Sequence, residues 1–156
     1  MNTKINTKRK RVKFASDNVT GACPEVLEAV IKANEGIVPP YGNDEISGVL
    51  QEKFSKIFEK DVIVYPTASG TASNALALSA ISPSFGNIYC HKFSHINVDE
   101  CGAPEFYTGG AKLVPLNGED GKITTEELKN SIRGFVIVHQ TQPSIVSKTK
   151  ATENDK

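Results

Sequence analysis

Long apolar runs are missing from this sequence, and so is the apolar segment of a signal peptide. No stretch of about 18 consecutive apolar residues is present, which is the length that a membrane-spanning helix needs. The three cysteines, Cys23, Cys90 and Cys101, show no CxxC spacing, so neither a disulfide framework nor a zinc site is expected. We therefore expect a cytoplasmic protein with reduced thiols, no membrane partner and no bound metal.

An excess of basic charge is also missing, because Lys plus Arg and Asp plus Glu each number 18. Dedicated nucleic-acid-binding domains usually carry a basic excess, so no nucleic-acid partner is expected. The charge is unevenly placed: residues 1–13 hold six basic residues and no acid, and the rest of the chain holds 12 basic and 18 acidic residues. A nuclear-localisation or nucleic-acid patch is one interpretation of this run; a basic flexible tail is the interpretation that we favour.

Short β-branched runs alternate with helical patterns in the rest of the chain. Residues 24–35 begin with Pro24 and are followed by Gly36, as is typical of a helix. Residues 44–59 have apolar side chains at helical spacing, which predicts a helix lying on a core. Residues 124–133 open with a Thr/Glu capping box. Strands are predicted at residues 61–65, 87–90, 111–115 and 135–139. This alternation predicts an α/β fold with a mainly parallel sheet flanked by helices.

We assign residues 14–147 to one domain, followed by a polar tail at residues 148–156. A parallel strand at residues 135–139 would ordinarily be followed by a crossover helix, but the residues after it show no apolar periodicity. The domain is therefore predicted to be incomplete. We expect an unpaired sheet edge that favours aggregation or oligomerisation.

A small polar turn at Ser69, Gly70 and Thr71 follows the strand predicted at residues 61–65 and precedes a run of good helix formers. The N–H groups at a helix N-terminus, a glycine that permits close approach and two hydroxyl groups are what a phosphate needs. A helix that is merely capped by Ser69 is the commoner outcome for such a turn. The segment is neither a Walker A loop nor a GxGxxG fingerprint.

Histidines and acidic residues form a second candidate group. His91 and His95 precede Asp99 and Glu100, a cluster that suggests metal ligation or acid-base chemistry. The two histidines could share a helix face, but no HExxH pattern accompanies them, and a histidine satisfied by a hydrogen bond is the commoner case. His139 ends a predicted strand, where α/β proteins often build their sites.

Taken together, the motifs of the chain resemble one protein family. They are residues 14–21 (FASDNVTG), 24–26 (PEV), 41–44 (YGND), 68–74 (ASGTASN), 93–96 (FSHI), 99–103 (DECGA), 114–115 (VP) and 117–122 (NGEDGK). In this order and at these intervals they resemble the N-terminal part of the threonine aldolase and β-eliminating lyase family, and the low-specificity threonine aldolases most closely. These are pyridoxal 5′-phosphate (PLP) enzymes of the aspartate-aminotransferase fold type.

The resemblance implies roles for the candidate residues at the cofactor. Ser69, Gly70 and Thr71 would hold the cofactor phosphate, and His95 would lie over the pyridine ring and reach the substrate. Tyr41 would enter the cofactor site of a neighbouring subunit, which implies a homodimer or tetramer.

The resemblance also implies substrate contacts and an activity. Ser16 would approach the substrate carboxylate, and His139 would lie near the substrate hydroxyl. The implied reaction cleaves threonine or allo-threonine, which are small amino-acid substrates, to glycine and acetaldehyde.

Family members are roughly twice as long as this chain, and the groups that the remainder supplies are missing here. They are the Schiff-base lysine, the aspartate that pairs with the pyridine nitrogen, and substrate-binding arginines. The chain is therefore expected to be inactive alone. The alternative is a non-catalytic remnant, or an oligomerisation partner of an aldolase-like protein.

Overall fold

The computed structural model describes residues 19–150, so Ser16, the basic run and the last six residues lie outside the described part. The chain divides into two compact units, with the boundary between Val64 and Tyr65. In the part of the chain that the structure describes, no helix is both long enough and apolar enough to cross a membrane. The domain limits inferred from the sequence stay a prediction.

The first unit contains helix α1, Pro24–Ala33, and helix α2, Glu45–Phe58. Asp44 caps α2, because its carboxylate accepts hydrogen bonds from the Ser47 backbone N–H at 2.9 Å and from the Ser47 hydroxyl at 2.6 Å. These bonds lower the pKa of Asp44. Glu59 follows in the left-handed conformation, with φ 52°, and ends the helix. Both helices were predicted, with bounds within two residues of those observed.

Two expectations for the first unit are wrong. No residue of α2 is buried, so the predicted contact of this helix with a core is absent from the described residues. Residues 61–65 form no strand. Val62 N–H bonds instead to the Ser55 hydroxyl at 3.1 Å. A β-branched run becomes a strand only when another strand pairs with it, because pairing is what satisfies its backbone groups.

The second unit holds the remaining elements of the described chain. In chain order they are α3 (Gly70–Ile81), β1 (Gly86–His91), α4 (His95–Val98), α5 (Ala103–Tyr107), β2 (Lys112–Leu116), a 3-10 turn (Glu119–Gly121), α6 (Thr125–Ser131) and β3 (Gln142–Val146).

The strands form a parallel three-stranded sheet in the order β2-β1-β3, and helices connect the strands. Every residue of the central strand β1 is buried. Ile88 and Cys90 of this strand form the core with Leu78, Ile96 and Ala111. An apolar strand that is covered on both faces is typical of parallel sheets. The predicted α/β fold with a parallel sheet is confirmed.

The strand predicted at residues 135–139 is wrong, because the third strand of the sheet is β3. Gly134 and Val136 have positive φ values of 79° and 62°, which a regular strand does not permit. Two turns form here, with hydrogen bonds from Ile137 N–H to the Gly134 carbonyl and from Gln140 N–H to the Ile137 carbonyl, each 3.0 Å. The apolar run therefore forms turns, and the strand begins after it.

Helix α6 confirms the predicted capping box. The Thr124 hydroxyl accepts a hydrogen bond from the Glu127 backbone N–H, and the Glu127 carboxylate accepts one from the Thr124 backbone N–H, each at 3.1 Å. These contacts with Thr124 lower the pKa of Glu127. The local sequence therefore fixes the start of this helix.

We expect Thr124→Ala to lower the free energy of unfolding by about 1 kcal/mol, the usual effect of losing an N-cap. Thr125→Ala is the matched control, because the structure assigns Thr125 no capping bond. Urea denaturation at pH 7 measures both variants. The pKa of Glu127 is lower in the folded chain than in the unfolded chain, so its ionised form stabilises the fold at any pH above its unfolded pKa. This stabilisation is lost as the pH falls through the folded pKa. The difference in unfolding free energy between Thr124→Ala and the unmodified chain should therefore shrink under acid conditions. Equal destabilisation by both variants would contradict this role.

The three cysteines should react at different rates with a thiol-alkylating reagent. Cys23 and Cys101 are exposed, whereas Cys90 is buried in β1. Burial raises the pKa of the Cys90 thiol, and the negative charge of Glu105 raises it further, although the Ser94 hydroxyl opposes this. We expect rapid labelling of Cys23 and Cys101 at pH 8 and labelling of Cys90 only after denaturation, as measured by peptide mass spectrometry. Equal labelling of Cys90 and Cys101 in the folded chain would refute the expectation.

Candidate functional site

The N-terminus of α3 exposes donors that no neighbouring group uses. Ser69 is the N-cap, and its hydroxyl accepts a hydrogen bond from the Ala72 backbone N–H at 3.2 Å. Serine is favoured here because its oxygen satisfies one of the free N–H groups of the first turn. The N–H groups of Gly70 and Thr71 have no acceptor within residues 19–150. A Cβ at Gly70 would meet no atom within 4 Å, so a ligand can approach the backbone there.

A cavity of about 340 Å³ borders this helix end. Its lining residues are Ser69, Thr71, Ala72, Ala75, Leu76 and Tyr107. Small-molecule sites have volumes from about 300 Å³ upward and combine an apolar wall with a few polar groups. The cavity is therefore large enough for a small ligand, and Ser69, Thr71 and Tyr107 are the residues of its wall that carry hydroxyl groups.

A hydrogen-bonded chain of side chains runs from α3 to His95. Asn74 Nδ2 donates to Glu100 Oε1 at 2.6 Å, and the same oxygen lies 2.7 Å from His95 Nδ1. The Glu100 side chain is fully buried, whereas 45% of the His95 side chain is exposed. His95 is the first residue of α4, and Asn74 lies one turn after Gly70 on α3. The sheet-flanking helices therefore bring three side chains from distant parts of the sequence together.

An imidazole whose inner nitrogen faces a carboxylate can act as a general base through its outer nitrogen. His95 Nε2 has no hydrogen-bond partner in the described chain. Asp99, the other acid of the predicted cluster, is exposed, and its side chain makes no hydrogen bond or ion pair within that range. The arrangement can accept or release a proton at His95 Nε2.

His91 belongs to the interior and not to this site. It ends β1, so the idea that His91 and His95 share a helix face is wrong. Phe93 N–H donates to His91 Nδ1 at 3.2 Å, which leaves the ring proton on Nε2, from where it bonds to the Gly118 carbonyl at 3.1 Å. His91 is thus the hydrogen-bonded histidine that the sequence favoured. Within residues 19–150 no group of three or more His, Cys, Asp or Glu residues could hold a metal.

Of the other predicted site residues, the structure describes the local conformation of Tyr41 and His139. Tyr41 is 97% exposed in the first unit, with a positive φ of 63°. His139 is exposed in a turn near the start of β3, and Ser16 lies outside the described residues. Their roles stay predictions.

Sequence reasoning missed the connection between Asn74 and Glu100, and it missed Tyr107. Asn74 stood in a motif without a role, and Glu100 stood in a cluster with no assigned partner. Hydrogen bonds across 26 residues leave no local spacing signal in one sequence. Tyr107 is one of many aromatic residues that could equally have been in the core.

Comparison with known proteins gives consistent matches. The pattern of the beta-eliminating lyase family matches residues 13–155. The chain is 40% identical over 140 residues to the low specificity L-threonine aldolase of Pseudomonas sp. (strain NCIMB 10558), and 39% identical over 140 residues to that of Pseudomonas aeruginosa. Each match covers 90% of this chain and 40% of the relative. The chain therefore spans well under half the length of these relatives.

A solved structure has the same fold. The threonine aldolase of Leishmania major superposes with a TM-score of 0.81 at 23% sequence identity, and the match covers 90% of this chain and 41% of that protein. At this identity the likeness shows a common fold. The three-stranded sheet and its helices thus correspond to part of a larger α/β structure.

Proposed function

The chain belongs to the beta-eliminating lyase family, and on that premise we propose that its second unit carries part of the active site of a PLP-dependent aldolase. The complete protein would cleave a β-hydroxy-α-amino acid, threonine or allo-threonine, to glycine and an aldehyde. The observation that carries the proposal is the chain of hydrogen bonds that ties His95 to α3, whose open N-terminus borders a cavity. The names of the two bacterial relatives support the substrate class.

The residues present fit the phosphate group of PLP, the cofactor of this family. Gly70 and Thr71 offer backbone N–H groups without an acceptor in the described chain, and Ser69 and Thr71, which carry hydroxyl groups, line the adjoining cavity. The positive end of the α3 dipole also favours an anion at this position. Bound PLP would supply an electron sink for the pair left on Cα when the Cα–Cβ bond breaks.

His95 is the residue to which we assign proton transfer. Its free Nε2 would take the proton from the substrate β-hydroxyl, and its exposed ring face would contact the cofactor ring. We favour His95 over His139 because, within the described residues, only His95 has a carboxylate at its other ring nitrogen. Ser16 and His139 remain proposed contacts of the substrate carboxylate and hydroxyl.

A homo-oligomer, dimer or tetramer, is part of the proposal. The backbone turns sharply at Tyr41 and Gly42, which have positive φ values of 63° and 76°. Tyr41 is almost fully exposed. An exposed aromatic residue on a sharply turned loop is suited to insertion into a second subunit. Tyr41 is the residue that we propose enters the neighbouring site.

The second candidate is a non-catalytic remnant or an oligomerisation partner of an aldolase-like protein. The observation that favours it is that the match covers only 40% of each relative, together with outer edges of β2 and β3 that pair with no strand in residues 19–150. Sequencing the coding region beyond Lys156 separates the candidates. An open frame that encodes a cofactor-binding lysine supports the enzyme, and a stop codon supports the remnant.

Gly70→Asp tests the proposed phosphate site at Ser69, Gly70 and Thr71, which we call the phosphate cradle. The new side chain has open space, and an acid in the first turn of a helix does not disturb the fold, but its charge opposes a phosphate. We expect Gly70→Asp to weaken PLP binding by roughly tenfold or more, about 1.4 kcal/mol, as measured by absorbance titration. Gly70→Ala is the matched control and should bind as the unmodified chain does. Unchanged PLP affinity in Gly70→Asp would place the phosphate elsewhere.

The 156-residue chain should not cleave threonine by itself. The relatives extend far beyond the matched portion, and the Schiff-base lysine and the partner of the pyridine nitrogen are expected there. The purified chain is mixed with PLP and threonine, and acetaldehyde is measured against PLP alone. A rate well above that of PLP alone would overturn the expectation, and Lys112, Lys148 and Lys150 would then be tested as substitutes.

A further inference from the structure

Glu100 is the buried acid that faces the inner ring nitrogen of His95, and what it does to that ring goes beyond the proposed reaction. Its side chain is fully buried, and Oε2 has no hydrogen-bond partner in the described chain. Oε1 instead faces two donors, Asn74 Nδ2 at 2.6 Å and His95 Nδ1 at 2.7 Å. Burying a carboxylate is costly unless it is paired and hydrogen-bonded, so these two contacts hold the group in place.

We propose that Glu100 is a positioning residue that fixes the tautomer and the orientation of His95, and that Asn74 in turn fixes Glu100. The significance for catalysis rests on the proposed function; the geometry does not. Glu100 Oε1 accepts a hydrogen bond from Asn74 Nδ2, and with the same oxygen as the acceptor toward His95 the ring proton lies on Nδ1 and points at Oε1. The neutral ring then presents a bare Nε2 on its exposed side.

Asn74 connects the Glu100–His95 pair to the phosphate cradle. Asn74 is the fifth residue of α3 and lies one turn from Gly70, so both are on the same side of a rigid helix. Asn74 Nδ2 donates to Glu100 Oε1, the same oxygen that faces His95 Nδ1. A ligand phosphate held at the start of α3 and the proton-accepting nitrogen of His95 are therefore placed by the same helix.

The chain itself supplies the internal references for a test. It contains three histidines, His91, His95 and His139. His91 is held as the opposite tautomer, with the proton on Nε2, by Phe93 and Gly118. His139 is exposed and is not held by either ring nitrogen within residues 19–150. Three different tautomer states are thus expected in one spectrum.

The experiment is nitrogen NMR of the full chain labelled with ¹⁵N-histidine and without cofactor. It records the ring nitrogen resonances at a pH high enough for the imidazole rings to be uncharged. We expect His95 as the Nδ1–H tautomer, His91 as the Nε2–H tautomer and His139 as a mixture. In Glu100→Ala the His95 signals should become those of a mixture, whereas Asp99→Ala, which removes the adjacent exposed acid, should leave them unchanged. A bare Nδ1 on His95 in the unmodified chain, or an unchanged tautomer in folded Glu100→Ala, overturns the proposal.

Glu100→Gln keeps the proposal testable if the alanine variant does not fold. Its carbonyl oxygen can accept from both Asn74 and His95, which keeps the Nδ1–H tautomer, and its NH2 group, if turned toward the ring, would hold the Nε2–H tautomer instead. A mixture of the two tautomers in a folded Gln variant would contradict the proposal. The His91 signals report folding in each variant. Because no cofactor is present, failure of PLP binding in the Gly70 variants would disprove the cradle without affecting this result, and a wrong tautomer would disprove the positioning role alone.

Discussion

Strand β1 pairs in parallel with β2 on one side and with β3 on the other, and the fold of the second unit depends on this pairing. A strand between two parallel neighbours must be reached by crossovers, and these place α4, α5 and α6 beside the sheet. The close packing is visible at Gly86, where a Cβ would lie 2.6 Å from Ser82 Oγ and 2.9 Å from Ser144 Cβ. The carboxyl end of β1 then leads directly to His91 and the turn before His95, which is where open α/β sheets build ligand sites.

The buried carboxylate of Glu100 extends this constraint from the backbone to the side chains. A buried carboxyl group needs hydrogen-bond partners, and the partners of Glu100 are Asn74 from α3 and His95 from α4. The same contact therefore satisfies an electrostatic requirement and aligns two helices. The contact also ties α4, a helix of only four residues, to α3.

The first unit shows what amphipathic helices look like when the described chain gives them no core. Val30, Ile31 and Ile57 are each more than half exposed, although their spacing is that of buried positions. Periodicity reports which face of a helix is apolar, but it does not report what covers that face. The matched relatives are more than twice as long as the matched segment.

The sequence alone determined the features that short-range physics controls. The starts of α1, α2, α3 and α6 follow from proline or capping side chains within a few residues, and the Thr124 capping box was predicted and observed. Only the tertiary structure decided which apolar runs became strands, because residues 61–65 and 135–139 have strand composition but pair with no strand among residues 19–150. It alone also joined Asn74 to Glu100 across 26 residues and separated His91 from His95. Local propensity is set by neighbours in sequence, whereas pairing and burial are set by neighbours in space.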